Sequence, residues 1–162
     1  MNEQEITHRY LAESIISQHN AMTLGIVDGD GFPWLAPVYY VHKDFHFYFF
    51  SDPASRHASV LALTEGYPSV SASAAIYNEP DEYGHIQGLQ MKGHLERVTG
   101  RGDRARVMTA FGLRFSFFAR FLQEPRLLKS LQKNEIYQFT AREVWITDNS
   151  RLGYGHRICF HP

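Results

Sequence analysis

Four residues in one short stretch carry the clearest chemical signal: Ser51, Ser55, Arg56 and His57. Two hydroxyls, a guanidinium and an imidazole, where a strand gives way to a helix, would cradle a phosphate monoester. Arg56 suits that task because its planar fork can meet two phosphate oxygens at once. A helix start adds unpaired backbone N–H groups and a partial positive charge. The same residues suit a plainer role equally well, with Asp52 or Ser55 capping the helix and Arg56 in water. His42 and His46 are four apart and would share a metal only by meeting across a hairpin. The single cysteine, Cys159, reads as a small apolar residue, since nothing near it in sequence lowers its pKa. The chain has no phosphate-binding Gly-rich loop, no nucleophile elbow and no paired-Cys or His-Glu-x-x-His zinc pattern.

The elements that must position these residues follow from periodicity. Glu3–Gln18 reads as a helix, with Asn2 and Glu5 at capping-box spacing and Ile6, Tyr10, Ile15 and Ile16 marking one face. A strand over 21–27, the turn Asp28-Gly29-Asp30-Gly31, a strand over 33–41, a turn at 42–44 and an aromatic strand over 45–50 read as a three-stranded meander. Asp52 and Pro53 then open a helix to about residue 63. Strands follow over 69–77 and 85–98, separated by an acidic loop. Asp103 caps a helix, and residues 115–131 form another that breaks at Pro125. Its cluster of Phe115, Phe117, Phe118, Phe121 and Leu122 is expected to serve partly as core and partly as subunit interface. A last strand spans 135–147, followed by a turn-rich segment and a short tail. The expectation is a mainly β fold: six mostly antiparallel strands in a small barrel with flanking helices.

Composition bounds the rest. A chain of 162 residues is expected to form a single domain over 1–162. Sixteen basic against seventeen acidic residues leave a charge of −1, which argues against nucleic acid or an anionic membrane as partner. The N-terminal residues lack a signal-peptide pattern, and no apolar run approaches a membrane span. With one cysteine, this suits a reduced, cytoplasmic setting. Gln87 and Gln90, three apart on one strand, must face opposite sides, and Gln90 shares its side with Lys92. Trp34 and Trp145 are expected in the core or an interface.

The order of Gly-rich hairpin, strand, turn, aromatic strand ending in a hydroxyl residue, and Ser-Arg-His helix start resembles the FMN-binding split barrels related to pyridoxamine 5′-phosphate oxidase. Ile86-Gln87-Gly88-Leu89-Gln90-Met91-Lys92-Gly93 and the segments Thr147-Asp148-Asn149 and Leu152-Gly153-Tyr154-Gly155-His156 are similar to the YhbP-type branch. The resemblance runs from about Ile6 to Arg157. It implies a six-stranded split barrel and an FMN phosphate held by Ser51, Ser55, Arg56 and His57. Phe50 would line the site, and Val38 and Tyr39 would run beside the flavin ring. Gln90 would bond its pyrimidine edge, with Lys92 adding charge nearby. It also implies a homodimer with the cofactor between subunits and oxidoreductase chemistry on an unknown small molecule. The Asp148–His156 segment, with glycines flanking Tyr154, reads equally as a cover over the partner's cleft with Arg151 or Tyr154 near the ligand and as a structural C-terminal turn. Tyr39, Tyr40 and His42 are catalytic candidates by location alone.

Departures from the oxidase pattern matter. Where the oxidase sets Arg and Lys on its second strand, the nearest residues here are Pro37 and His42. His57 stands where it has Lys. Fixed positive charge is therefore reduced, and pyridoxamine phosphate oxidation is not implied. Two alternatives stand beside the FMN reading: haem binding, as in some similar split barrels, and a cofactor-free dimeric interaction protein.

Overall fold

The computed structural model describes residues 3–63 and 68–162. The Asn2–Glu5 capping pair falls partly outside these residues. Helix α1 (Glu3–Gln18) is followed by β1 (Ala21–Val27), β2 (Pro33–Tyr39), β3 (Val41–Lys43) and β4 (His46–Ser51). A single helical turn, α2 (Arg56–Ser59), runs into a 3-10 turn (Val60–Leu63). Strands β5 (Ser69–Tyr77) and β6 (Gln87–Arg97) come next. Helices α3 (Arg101–Arg114), α4 (Ser116–Gln123) and α5 (Pro125–Lys133) precede the long β7 (Glu135–Asp148). The chain closes with α6 (Asn149–Leu152) and β8 (Arg157–Phe160).

All eight strands belong to one antiparallel sheet in the order β2-β1-β5-β6-β7-β4-β3, with β8 beside β7. The two ends of that order are β2 and β3, and Tyr40 alone separates them in sequence. A sheet whose opposite ends are joined by one residue must curl, so a half-open barrel results. Tyr40 is wholly buried at this corner. Its hydroxyl donates to the Ile16 carbonyl at 2.7 Å, and its backbone N–H to the Asn20 carbonyl at 3.1 Å.

Among the described residues the strand count is eight and not six. The expected strand over 33–41 breaks at Tyr40 into two, and the tail supplies β8. The three-stranded meander is likewise corrected. β4 pairs with β3 and β7 and not with β2, because the corner at Tyr40 throws the chain to the far end of the sheet. The first six positions of β7 serve β4 on one edge and its later ones serve β8 on that same edge. Gly93 in β6 sits at a register shift against β7. A Cβ there would run into the Thr140 carbonyl oxygen.

Side-chain alternation separates two cores. Phe47 and Phe49 of β4 point inward to the barrel core, where α1 buries Leu11, Ala12, Ile15 and Ile16. Ile15 and Ile16 lie in the expected stripe, whereas Ile6 and Tyr10 face solvent and Leu11 and Ala12 take their place. Tyr48 and Phe50 point outward to a second core under α3, α4 and α5, built on Phe111, Phe115, Phe118 and Leu131. Phe117 and Leu122 of the same Phe-rich run remain exposed, so only part of the run serves the core. Trp34 and Trp145 are both more than a third exposed and belong to neither core.

Candidate functional site

The strand β4 ends where its inward-facing parity falls on Ser51. Buried polar residues among those described are Ser51 and Asp148. After β4 the chain reverses through Asp52, whose carboxylate accepts the Ala54 N–H at 2.8 Å, while its carbonyl accepts the Ser55 N–H at 2.9 Å. This turn replaces the helix expected from Asp52. The helix starts instead at Arg56, with Ser55 in the preceding position and no side-chain cap. One turn of helix has little dipole, so an anion here would rest on side chains.

Those side chains converge. Ser51 Oγ lies 2.8 Å from Ser55 Oγ and 2.8 Å from His57 Nε2. Ser55 Oγ lies 3.4 Å from the same ring nitrogen. Burial pushes the His57 pKa below its ordinary value, so the imidazole is neutral at neutral pH. The cluster therefore offers three polar atoms that can each donate or accept, and no fixed charge.

A cavity of about 300 Å³ opens beside this cluster, near the small end of the range for ligand pockets. β2 contributes Val38 and Tyr39, β4 contributes Phe50 and Ser51, α2 contributes His57, and α4 contributes Phe117 and Phe121. The Tyr39 ring meets Phe115 and Phe117 edge-on at 5.4 and 5.5 Å, and Phe50 meets Phe111 at 4.8 Å. The result is an aromatic slot with a hydroxyl and imidazole end.

Five of the residues singled out from sequence thus line one cavity: Val38, Tyr39, Phe50, Ser51 and His57. Ser55 joins through its hydrogen bond to Ser51. Arg56 stands aside, with its guanidinium stacked 4.3 Å from the Trp34 ring and 3.8 Å from an Asp28 oxygen. Gln90 and Lys92 lie on the outer sheet face and do not line the cavity. Gln90 accepts from Arg157 at 3.4 Å, and Lys92 pairs with Glu143 at 2.9 Å. Gln87 faces the other way and donates to the buried Asp148 at 2.9 Å. Phe111, Phe117, Phe118 and Phe121 are among the cavity residues that the sequence did not assign to a site. Their aromatic run was visible, but its position opposite Tyr39 depends on how α4 packs.

The remaining candidates separate. His42 pairs with Phe47 across the β3–β4 hairpin, and Lys43 pairs with His46, so the two histidines do not face each other. Among the described residues no group of His, Cys, Asp and Glu could hold a metal. His42 is largely buried, 3.7 Å from Glu13, with Nδ1 unpartnered. Tyr154 of the C-terminal segment donates nothing to the cavity. Its hydroxyl accepts from Tyr83 at 3.1 Å, and Arg151 lies 3.6 Å from Asp148 in its own chain. Burial raises the Cys159 thiol pKa, in keeping with an inert residue.

With this geometry in view, the family model described as pyridoxamine 5′-phosphate oxidase matches residues 11–148. The chain belongs to that family. It is 25% identical over 134 residues to the UPF0306 protein YhbP of Salmonella paratyphi C, covering 82% of this chain and 79% of that one. Its fold resembles a heme binding protein from Mycobacterium smegmatis, with TM-score 0.69 and 19% identity. That match covers 93% of this chain, which spans only 56% of the mycobacterial protein's length. It also resembles an FAD-binding protein from Mesorhizobium loti, with TM-score 0.61 and 14% identity over 84% of this chain and 89% of that one. Among the described residues no helix is long and apolar enough to cross a membrane.

Proposed function

We propose that this protein is a cytoplasmic homodimeric flavoprotein that binds FMN and acts as an oxidoreductase on a small molecule. The observation that carries the reading is the convergence of Ser51, Ser55 and His57 at one end of an aromatic slot. Hydroxyl and imidazole groups suit a phosphate ester, and a slot walled by Tyr39, Phe50 and Phe117 suits a flat ring system. The residues therefore fit the cofactor. Bound FMN would supply the electron transfer, and the chain would hold, orient and shield it. Ser51 and Ser55 would donate to phosphate oxygens, and His57 would become protonated as the dianion arrives. Arg56 would add a bidentate grip. Val38 and Tyr39 would flank the ring. Gln90 and Lys92 lie on the outer sheet face away from the cavity, so any contact they make with the flavin would come from a second copy of the chain.

Haem is the second reading, supported by the likeness to the mycobacterial heme binding protein. The hydroxyl pair beside His57 favours phosphate, since a phosphate ester would use both hydroxyls and an iron only the ring nitrogen. The deciding measurement is an absorption spectrum of freshly purified protein, repeated after adding FMN and removing the excess. Retained flavin bands are expected. A Soret band would transfer the assignment to haem. A spectrum that stays bare after FMN would leave a cofactor-free interaction protein. In the FMN-loaded protein, Arg56→Ala should weaken FMN binding about tenfold or more, the loss of roughly 1.4 kcal/mol for a charged hydrogen bond. Unchanged affinity would remove Arg56 from the site.

A further inference from the structure

Arg56 is the one fixed cation in the Ser51–His57 stretch, yet its guanidinium is already engaged. Asp28 holds it from the β1–β2 turn. That carboxylate is set firmly: its Oδ1 accepts the Asp30 N–H at 3.0 Å and the Phe32 N–H at 2.9 Å. The turn is closed by the Asp28 N–H to the Phe32 carbonyl at 2.9 Å, with Gly31 at φ +80°. The second oxygen, Oδ2, is therefore presented to Arg56 Nη1 at 3.8 Å, on a side chain only 8% exposed. Trp34 of β2 supports the guanidinium face at 4.3 Å. Arg56 itself is half exposed, so the arm has room to move.

We infer that Asp28 is a specificity-setting residue: a built-in carboxylate that competes for Arg56 with the head group of the incoming ligand. The inference rests on the phosphate reading of the Ser51–Ser55–His57 cluster. A monoanionic carboxylate offers Arg56 no more charge than Asp28 already does. A dianionic phosphate monoester offers more, in a geometry that accepts both prongs of the fork. The contact is long at 3.8 Å and its Arg56 end is half exposed, so it is weak enough to yield to that ligand. Asp28 thereby filters ligands by charge, and Trp34 reports whether Arg56 is docked.

The test uses the full chain carrying Trp145→Phe, which leaves Trp34 as the sole tryptophan. Ribitol 5-phosphate, which absorbs no light in this range, is titrated against Trp34 emission, with ribonate as the monoanionic comparison. A saturable change with the phosphate and none with ribonate is expected. Asp28→Asn keeps the oxygen that the turn requires and removes the charge. It should tighten ribitol 5-phosphate about threefold, the size expected for an exposed ion pair, and make ribonate binding measurable. In an Arg56→Gln background the same change should do nothing. Equal or weaker phosphate binding in Asp28→Asn, or a gain that persists without Arg56, overturns the inference. If binding is lost with His57→Gln yet indifferent to Asp28, the cluster stands and only the filter falls. If neither form binds the phosphate, both readings fall together.

Discussion

His57 is where residue chemistry meets function. Burial keeps its imidazole neutral in the free chain, with a pKa below its ordinary value. A phosphate dianion beside Nε2 would favour the imidazolium, so binding would take up a proton. The sign follows: FMN affinity should rise as pH falls from 8 toward about 6, and fall as pH rises through the bound-state pKa. Below about 6 the ester itself gains a proton and the trend should flatten. Isothermal titration in buffers of different ionisation enthalpy would count the proton. His57→Gln should abolish the uptake, and uptake that survives this change would place the titrating group elsewhere. The Ser51, Ser55 and His57 trio could be picked out by type and spacing, because strand end and turn are local. The docking of Arg56 on Trp34 and Asp28 could not, since those partners lie 22 and 28 positions away.

At the scale of elements, α4 has two faces with different work. Phe118 is 3% exposed in the second core, against Phe50 and Phe111. Phe117 and Phe118 both border the cavity, but Phe117 is 40% exposed and lies outside the second core. Phe118→Ala should cost about 3–5 kcal/mol in denaturant unfolding. Phe117→Ala should cost only about 1 kcal/mol while weakening FMN binding. Equal stability losses would mean α4 is seated otherwise. In β6, Gly93→Ala would force a Cβ onto the Thr140 carbonyl. Backbone must move there, so a loss of about 3 kcal/mol or more, or failure to fold, is expected on thermal melting. The glycine was plain in the sequence, but the need for it was not. That need arises from a register shift between two strands some fifty positions apart.

For the whole molecule, acid stability depends on how α1 closes the barrel. His42 lies between α1 and the barrel. Burial lowers its pKa, and Arg114 lowers it further, while Glu13 works the other way without prevailing. The unfolded chain therefore binds a proton at His42 more readily than the folded one. Stability is full above the unfolded value near 6.5 and declines as pH falls through it toward the folded pKa. His57 adds in the same direction. His42→Phe, which preserves the stack on Phe47 at 6.0 Å, should make the loss of stability between pH 7 and 5 shallower. An unaltered acid limb would assign it to other groups. Association is tested at this scale too. Leu113 and Leu122 are 85% and 48% exposed on the outer helices. If this face joins two copies, Leu113→Glu with Leu122→Glu should halve the mass seen by light scattering at unchanged melting temperature. A persisting dimer would place the interface elsewhere.

What the sequence by itself determined was local: strand and helix types, the Asp28–Gly31 turn, the break at Pro125, the opposite facing of Gln87 and Gln90, and a mainly β class. Each follows from periodicity or turn chemistry within a few residues. The Phe-rich run also declared its apolar character, though not which of its rings would line a cavity. Tertiary structure alone decided that 33–41 bends at Tyr40, because only the curled sheet needs that corner. It also decided that the tail adds a strand to β7, because the free edge beyond β4 exists only once β7 is in place. Strand pairing and the docking of a charged side chain are contacts between distant segments, set by a packing competition that no local pattern encodes.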